Sequence, residues 1–307
     1  MSDLRAAAAQ YLQTRRALGY QLTQQGQLLA DFVEYLQAAG AEHVSVDHAV
    51  AWARTPAGAD PVWWNAKLCV VRGFARWLRC VDPATEVPPA GLFPARYHRP
   101  TPYIYRPGDI DALLAAAGRL NPPFRADTYQ TLFALLVVSG MRVGEAVGLD
   151  RGDVDADQGL LTIRRGKNGK ARQLGLHPSS VAALRGYCAR RDAQFPTPAA
   201  PSFFVSTRGT RLIVDNVCQV FPQLVREAGL ARPGRRPPRL HDARHSFAVR
   251  IILGWYQEGA DVDARLPLLS TWLGHTGPAS TYWYLSTTPE LLTLITERLE
   301  HHHGGQP

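Results

Sequence analysis

The chain has 307 residues, 46% of them hydrophobic and 20% charged, which is enough apolar material for one large or two ordinary packed domains and excludes bulk disorder. Lys and Arg number 34 against 26 Asp and Glu, a formal charge of +8, and such an excess favours a polyanionic partner. The four cysteines lack metal or redox spacing, the N-terminus lacks a signal-type apolar core, and no run reaches the roughly 18 apolar residues of a membrane span, so a cytoplasmic protein is expected.

Residues 1–82 read as helices. Leu4, Ala8, Tyr11, Leu12 and Leu18 recur near helical spacing, as do Leu28, Leu29, Phe32, Val33 and Leu36. A short helix is predicted over 46–53 and a longer one over 62–78, with Gly19, Gly40 and a Pro/Gly stretch from Thr55 as separators. Four helices without a strand make a compact bundle. Residues 83–106 carry Pro83, Pro88, Pro89, Pro94, Pro100 and Pro102 and predict an extended linker. Residues 1–100 hold ten basic and eight acidic side chains, against 24 and 18 in 101–307, so most of the excess charge lies in the later part.

From 107 to 300 the pattern is mixed, giving an α+β domain that is mainly α with a small β-hairpin. Helices are predicted over 108–117, 124–139, 143–149, 178–191, 216–228, 241–257, 264–272 and 289–299. Residues 160–164 and 172–176 flank a Gly-Lys-Asn-Gly-Lys turn and predict the hairpin. A further short strand is expected over 203–206. Residues 301–307 form a tail that carries no functional argument.

Three motifs fail on their chemistry. Asp153, Asp155 and Asp157 open like a calcium loop, but Gln158 replaces the turn glycine and Arg164 replaces the bidentate Glu. The turn around Lys167 lacks the four-residue spacer and the Ser/Thr of a phosphate-cradling P-loop. His241 and His245 are four apart, as in zinc helices, but Asp242 replaces the usual Glu and Arg244 sets a permanent cation beside the metal position. No metal and no cofactor are expected.

Four other stretches share one chemical sense. In Ser139-Gly-Met-Arg142-Val-Gly-Glu145 a glycine ends an apolar helix and Arg142 and Glu145 stand three apart. This is either a surface ion pair or a guanidinium held by Glu145 and aimed at a phosphate. The hairpin holds Arg164, Arg165, Lys167, Lys170 and Arg172, five cations in nine residues, which suit either a solvated tip or a nucleic-acid backbone. Two of the three lysines in the chain lie there; the third is Lys67. His241 and Arg244 share a face near a helix N-terminus, where backbone N–H groups favour an anion. His275 follows Gly274, and Tyr282, Trp283 and Tyr284 come seven to nine residues later.

Taken in order, an arginine, a hairpin lysine, HxxR, LGH and a tyrosine, this set resembles the tyrosine recombinase (phage integrase) family. The resemblance implies catalytic roles for Arg142, Lys167, His241, Arg244, His275 and Tyr284, with Glu145 supporting Arg142. Arg164, Arg165, Lys170 and Arg172 are implied DNA contacts. Tyr284, nine residues beyond His275, fits the nucleophile position better than Tyr282. The usual GKGxKxR turn here reads GKNGKAR, which sets Lys167 against Lys170 for the lysine role, and Pro278 interrupts the segment before the tyrosine. The helical N-terminal part resembles the DNA-gripping core-binding domain by architecture, with no arm-binding domain ahead of it.

The resemblance further implies site-specific cleavage and rejoining of double-stranded DNA through a 3′-phosphotyrosyl link, by a homotetramer on paired sites, alone or with sister recombinases. The stretch 289–299, with Leu291, Leu292, Leu294, Ile295 and Leu299 on one stripe, is expected to dock on a neighbouring subunit. A type IB topoisomerase, a non-catalytic DNA-binding protein and a zinc hydrolase are the rival readings.

Overall fold

The computed structural model describes residues 3–95, 101–164, 166, 171–197, 199–234, 236–275, 277 and 279–286. The chain divides into two compact units, Met1–Pro100 and Thr101–Pro307. Arg165, Lys167, Lys170, the stretch 289–299 and the tail lie outside the described residues.

The first unit holds four helices, α1 (Leu4–Ala17), α2 (Thr23–Ala38), α3 (Val46–Ala53) and α4 (Pro61–Leu78). Asp3, Ser45 and Asp60 cap three of them, each side chain accepting a backbone N–H of the first turn. Leu29, Phe32, Leu36, Leu68, Val71, Phe74 and Leu78 close the core with no exposed surface. Lys67 is buried in it: Nζ donates to the carbonyls of Trp52 and Thr55 at 2.8 and 2.7 Å and lies 3.9 Å from the Trp52 ring centre. Burial pushes its ammonium pKa down, and its role is to hold α3 against α4.

The proline-rich segment forms no helix or strand over 83–95 and is held to the bundle by side chains. The Arg72 guanidinium donates from Nε to the Pro88 carbonyl and from Nη2 to the Pro89 carbonyl, both at 2.8 Å. The Glu86 carboxylate accepts the Val46 N–H at 2.7 Å, and Phe93 is buried with its ring on Trp64. Prolines cannot donate, but their carbonyls accept, and a buried arginine uses them to fasten 82–95 to the bundle. Residues 101–106 belong to the second unit, where the Tyr105 N–H donates to Ser246 Oγ at 2.8 Å.

The second unit is mainly helical: α5 (Pro107–Ala117), α6 (Pro123–Ser139), α7 (Val143–Val147), α8 (Pro178–Gln194), α9 (Val214–Glu227), α10 (Leu240–Gln257), α11 (Val262–Leu273) and α12 (Ala279–Tyr282), then a 3-10 turn over Trp283–Ser286. An antiparallel sheet in the order β1-β2-β3 joins Val154–Asp155, Leu160–Ile163 and Arg172–Gly175. Leu161 pairs with Leu174, and both are fully buried, so the alternation of the hairpin fixes its register on the core. The strand expected over 203–206 is not a strand. Only single bridges form there, Asp150 with Ser202 and Val205 with Arg211, and Phe203, Phe204 and Val205 are all buried. The main core gathers Leu132, Phe133, Leu136, Tyr187, Phe203, Phe204 and Leu224. A second cluster between α10 and α11 gathers Phe247, Ile252, Leu266, Leu273 and Tyr284.

Candidate active site

Four local structures bring the predicted side chains together. Helix α6 ends at Gly140, whose φ of 64° is open to glycine and strained for other residues. The chain then turns so that Arg142 becomes the N-cap of α7. Glu145, in the first turn, accepts the Arg142 backbone N–H at 2.9 Å and its Nη1 at 2.9 Å. The Glu145 side chain is 5% exposed and that of Arg142 24%, so the guanidinium is held from below and open above.

Helix α10 starts in the same way, with the Arg239 N–H donating to Asp242 at 2.8 Å. Its first turns carry His241 and Arg244. Arg244 is 2% exposed; Nη1 donates to the Gly140 carbonyl at 2.9 Å and Nη2 to the Leu273 carbonyl at 2.5 Å. Two carbonyls at helix ends thus aim this guanidinium. Burial, with Arg142 nearby, lowers its pKa to about 10, still charged at neutral pH.

Helix α11 ends at Gly274, φ 65°, and the next N–H, of His275, donates back to the Ser270 carbonyl at 3.0 Å. His275 Nδ1 lies 2.8 Å from Thr281 Oγ1. The 3-10 turn then delivers Tyr284, 2% exposed, as an electrostatic neighbour of Arg244. Its ring lies 6.0 Å from His275 and 5.3 Å from His245. Tyr282, two residues earlier, is 47% exposed. Arg142, Glu145, His241, Arg244, His275 and Tyr284 therefore share one site.

The field there is strongly positive. Partial burial, then Arg244 and Arg142, push the pKa of His241 down to about 4, and that of His275 likewise. His241 keeps an exposed face, which tempers the burial part of its shift. Burial alone would raise the Glu145 carboxyl, but hydrogen bonds from Arg172 and Arg142 hold it below the usual carboxylate range. Among the described residues no three His, Cys, Asp or Glu side chains group as a metal ion requires. His241 and His245 sit edge to face, 4.8 Å apart.

The hairpin cations divide. Arg164 pairs with Asp153 while 65% of its side chain stays exposed. Arg172 departs from the expected DNA contact: its side chain is 9% exposed and its nitrogens are bonded to Glu145 and to the Trp272 carbonyl. Charge counting along the chain missed this because the carboxylate partner lies 27 residues away; an Arg–Glu pairing across a helix and a strand leaves no local spacing to read. Sequence spacing offers His245 only as a metal ligand, yet its ring lies against those of His241 and Tyr284.

Residues 106–290 match the family described as the phage integrase family. The chain belongs to that family. A protein of Sinorhizobium fredii (strain NBRC 101917 / NGR234) named as an integrase/recombinase, y4rB, is 42% identical over 98% of each chain. The tyrosine recombinase XerC of Roseiflexus sp. (strain RS-1) is 31% identical over 71% of this chain and 66% of its own. The crystal structure of a lambda integrase tetramer bound to a Holliday junction shares the fold, with a TM-score of 0.62 over 92% of this chain and 76% of that one at 16% identity. This integrase-family member is a site-specific DNA recombinase of the tyrosine type, mainly helical with a three-stranded sheet. No helix among its described residues is long and apolar enough to cross a membrane.

Proposed function

We propose that Tyr284 is the nucleophile of the recombinase and that it joins the 3′ side of a broken DNA strand as a phosphotyrosyl ester. The observation that carries this reading is the seat of Tyr284, buried with its ring against His275 and His245 and beside Arg244, inside a site that also holds Arg142 and His241. A phenol ordinarily titrates near pH 10 and needs a base to attack at neutral pH. His241 is that base, neutral before DNA arrives because partial burial and the two guanidiniums disfavour its cation. The incoming phosphate offsets that positive field and raises its basicity at the moment a proton must be taken up.

Arg142 and Arg244 bind the non-bridging oxygens and stabilise the charge that builds on five-coordinate phosphorus. His275 donates a further hydrogen bond to the same group. Tyr284 Oη forms the new P–O bond as the bond to the 5′-oxygen breaks, and Lys167 returns a proton to that oxygen. The ester preserves the bond energy, so attack by a partner's 5′-hydroxyl reseals the strand without a nucleotide cofactor. Arg164, Arg165 and Lys170 line the backbone of the duplex, and the first unit grips the same DNA as a core-binding domain. The working assembly is a homotetramer on paired sites in the cytoplasm, alone or with sister recombinases, with 289–299 docking between subunits. The tetrameric lambda integrase supports this reading by fold.

A duplex with a nick just beyond the scissile phosphate tests the chemistry, because the short 5′-hydroxyl fragment diffuses away and traps the covalent species. Mass spectrometry of the trapped peptide should find DNA on Tyr284. Attachment to Tyr282, or cleavage with no covalent species, refutes the assignment. For the assembly, a chain ending at Thr288 should bind one site yet fail to form tetramers or exchange strands. Strand exchange at the full-length rate rejects subunit docking.

A further inference from the structure

Arg172 stands where β3 leaves the basic turn, yet it faces inward. Its Nη1 and Nη2 donate to Glu145 Oε1 and Oε2 at 3.1 and 2.8 Å, and its Nε donates to the Trp272 carbonyl at 2.7 Å. We infer that Arg172 is a positioning residue that fixes Arg142 through Glu145 and ties the lysine hairpin and the His275 turn to the same carboxylate, without touching DNA.

The geometry supports this in three ways. Each Glu145 oxygen bonds both arginines: Oε1 takes Arg142 Nη1 and Arg172 Nη1, and Oε2 takes the Arg142 backbone N–H and Arg172 Nη2. With Arg142 alone the carboxylate is held by groups of its own helix start; the Arg172 fork locks its plane from the sheet side. Second, the Arg172 guanidinium lies flush on the turn that presents His275. A Cβ at Gly274 would stand 2.7 Å from Arg172 Nη1 and 3.0 Å from Cζ, so the glycine permits both the left-handed turn and the close approach. Third, all three Arg172 nitrogens are engaged within the protein, two of them by a carboxylate that already offsets the charge, whereas the Arg244 Nη atoms meet only neutral carbonyls. A lysine at this position offers a point charge and no planar fork.

The inference rests on the proposed reading of Arg142 as a phosphate ligand, and the test separates the two. Full-length wild type, Arg172→Lys, Arg172→Gln, Glu145→Gln and the double variant Arg172→Gln with Glu145→Gln would be compared on the nicked duplex. Covalent-complex formation at saturating protein should fall about 10–100-fold for both Arg172 variants. Affinity should stay within about threefold, and the dependence of affinity on salt should keep its slope. The double variant should be no more than about threefold slower than the slower single, because both act through one carboxylate.

Loss of about 0.9 from the log–log salt slope in Arg172→Gln means a direct phosphate contact and overturns the inference. Wild-type rates in Arg172→Lys, or losses that multiply in the double variant, overturn it too. If Arg172→Gln fails to fold, Arg172→Lys and Glu145→Gln still decide it through rate against affinity. Absence of the Tyr284 adduct in the wild type, by contrast, defeats the parent reading itself.

Discussion

The ring of Tyr284 lies nearly parallel to that of His275, at 23° and 6.0 Å between centres, with Arg244 as its electrostatic neighbour. The nucleophile candidate is therefore seated among the groups that would handle the phosphate, in the second hydrophobic cluster of the unit. Tyr282 is turned to solvent. Tyr284→Phe removes one oxygen from this arrangement and keeps the ring packing. It should abolish covalent attachment while DNA affinity stays within about twofold, as read by gel shift and by denaturing gels of the nicked duplex. Tyr282→Phe should attach normally; loss of attachment in that variant would move the chemistry to the wrong tyrosine.

The lowered histidine pKa values give stability a pH signature. In the unfolded chain histidine titrates near 6.5, whereas His275 in the native site stays neutral down to about pH 4. Between those limits the unfolded state binds the extra proton, so native stability is full above pH 6.5 and declines as pH falls toward 4. His241 adds in the same direction, damped by its solvent-open side. Thermal melting across pH 4.5–7.5 should show the decline, and His275→Asn should make it shallower. An identical pH slope in the variant would show that His275 is not the group responsible.

Much of this arrangement was legible along the chain, and the rest failed for identifiable reasons. Helices such as α4 and α10 announce themselves because apolar residues return every three or four positions, with Asp60 capping the first and Asp242 in the first turn of the second. The six catalytic candidates were legible as ordered motifs, and the described five converge. The contacts of the proline-rich segment with the bundle are not legible because proline content reports what a segment cannot donate, not that Arg72 will bind its carbonyls. Strand β1 is two residues long, too short for any alternation. Arg172 read as surface charge because its partners, Glu145 and Trp272, come from distant helices.

Affinity should depend on both units. Arg and Lys contacts to phosphates release condensed counterions, so binding to a single site should weaken steeply as salt rises. Residues 101–307 have their own core and the candidate site, and should fold alone. That fragment should bind more weakly and with a shallower salt slope than the full chain, since its contacts from the first unit are gone. Fluorescence anisotropy from 50 to 300 mM salt measures both quantities. Equal affinity and equal slope would remove the first unit from the DNA interface.

Gly140 couples fold and site most tightly. Its φ of 64° is strained for any residue with a Cβ, a cost of about 1–2 kcal/mol. An added Cβ would also lie 2.5 Å from Phe247 Cδ1 and 3.2 Å from Leu273 Cδ2. Phe247 is 7% exposed and stacked on Trp272 at 6.3 Å, so it has little room to yield, and such overpacking costs a further ~1–3 kcal/mol. Gly140→Ala should therefore lose about 2–5 kcal/mol in urea unfolding. The same peptide supplies the carbonyl that holds Arg244 Nη1, so the strain is transmitted to the guanidinium. Covalent attachment should fall by more than the folded fraction does, at temperatures where the variant remains native. Adding Phe247→Leu relieves the clash but not the backbone strain, and should recover part of the stability. A Gly140→Ala protein within about 0.5 kcal/mol of wild type, with an unchanged attachment rate, would mean that α6 ends without depending on this glycine.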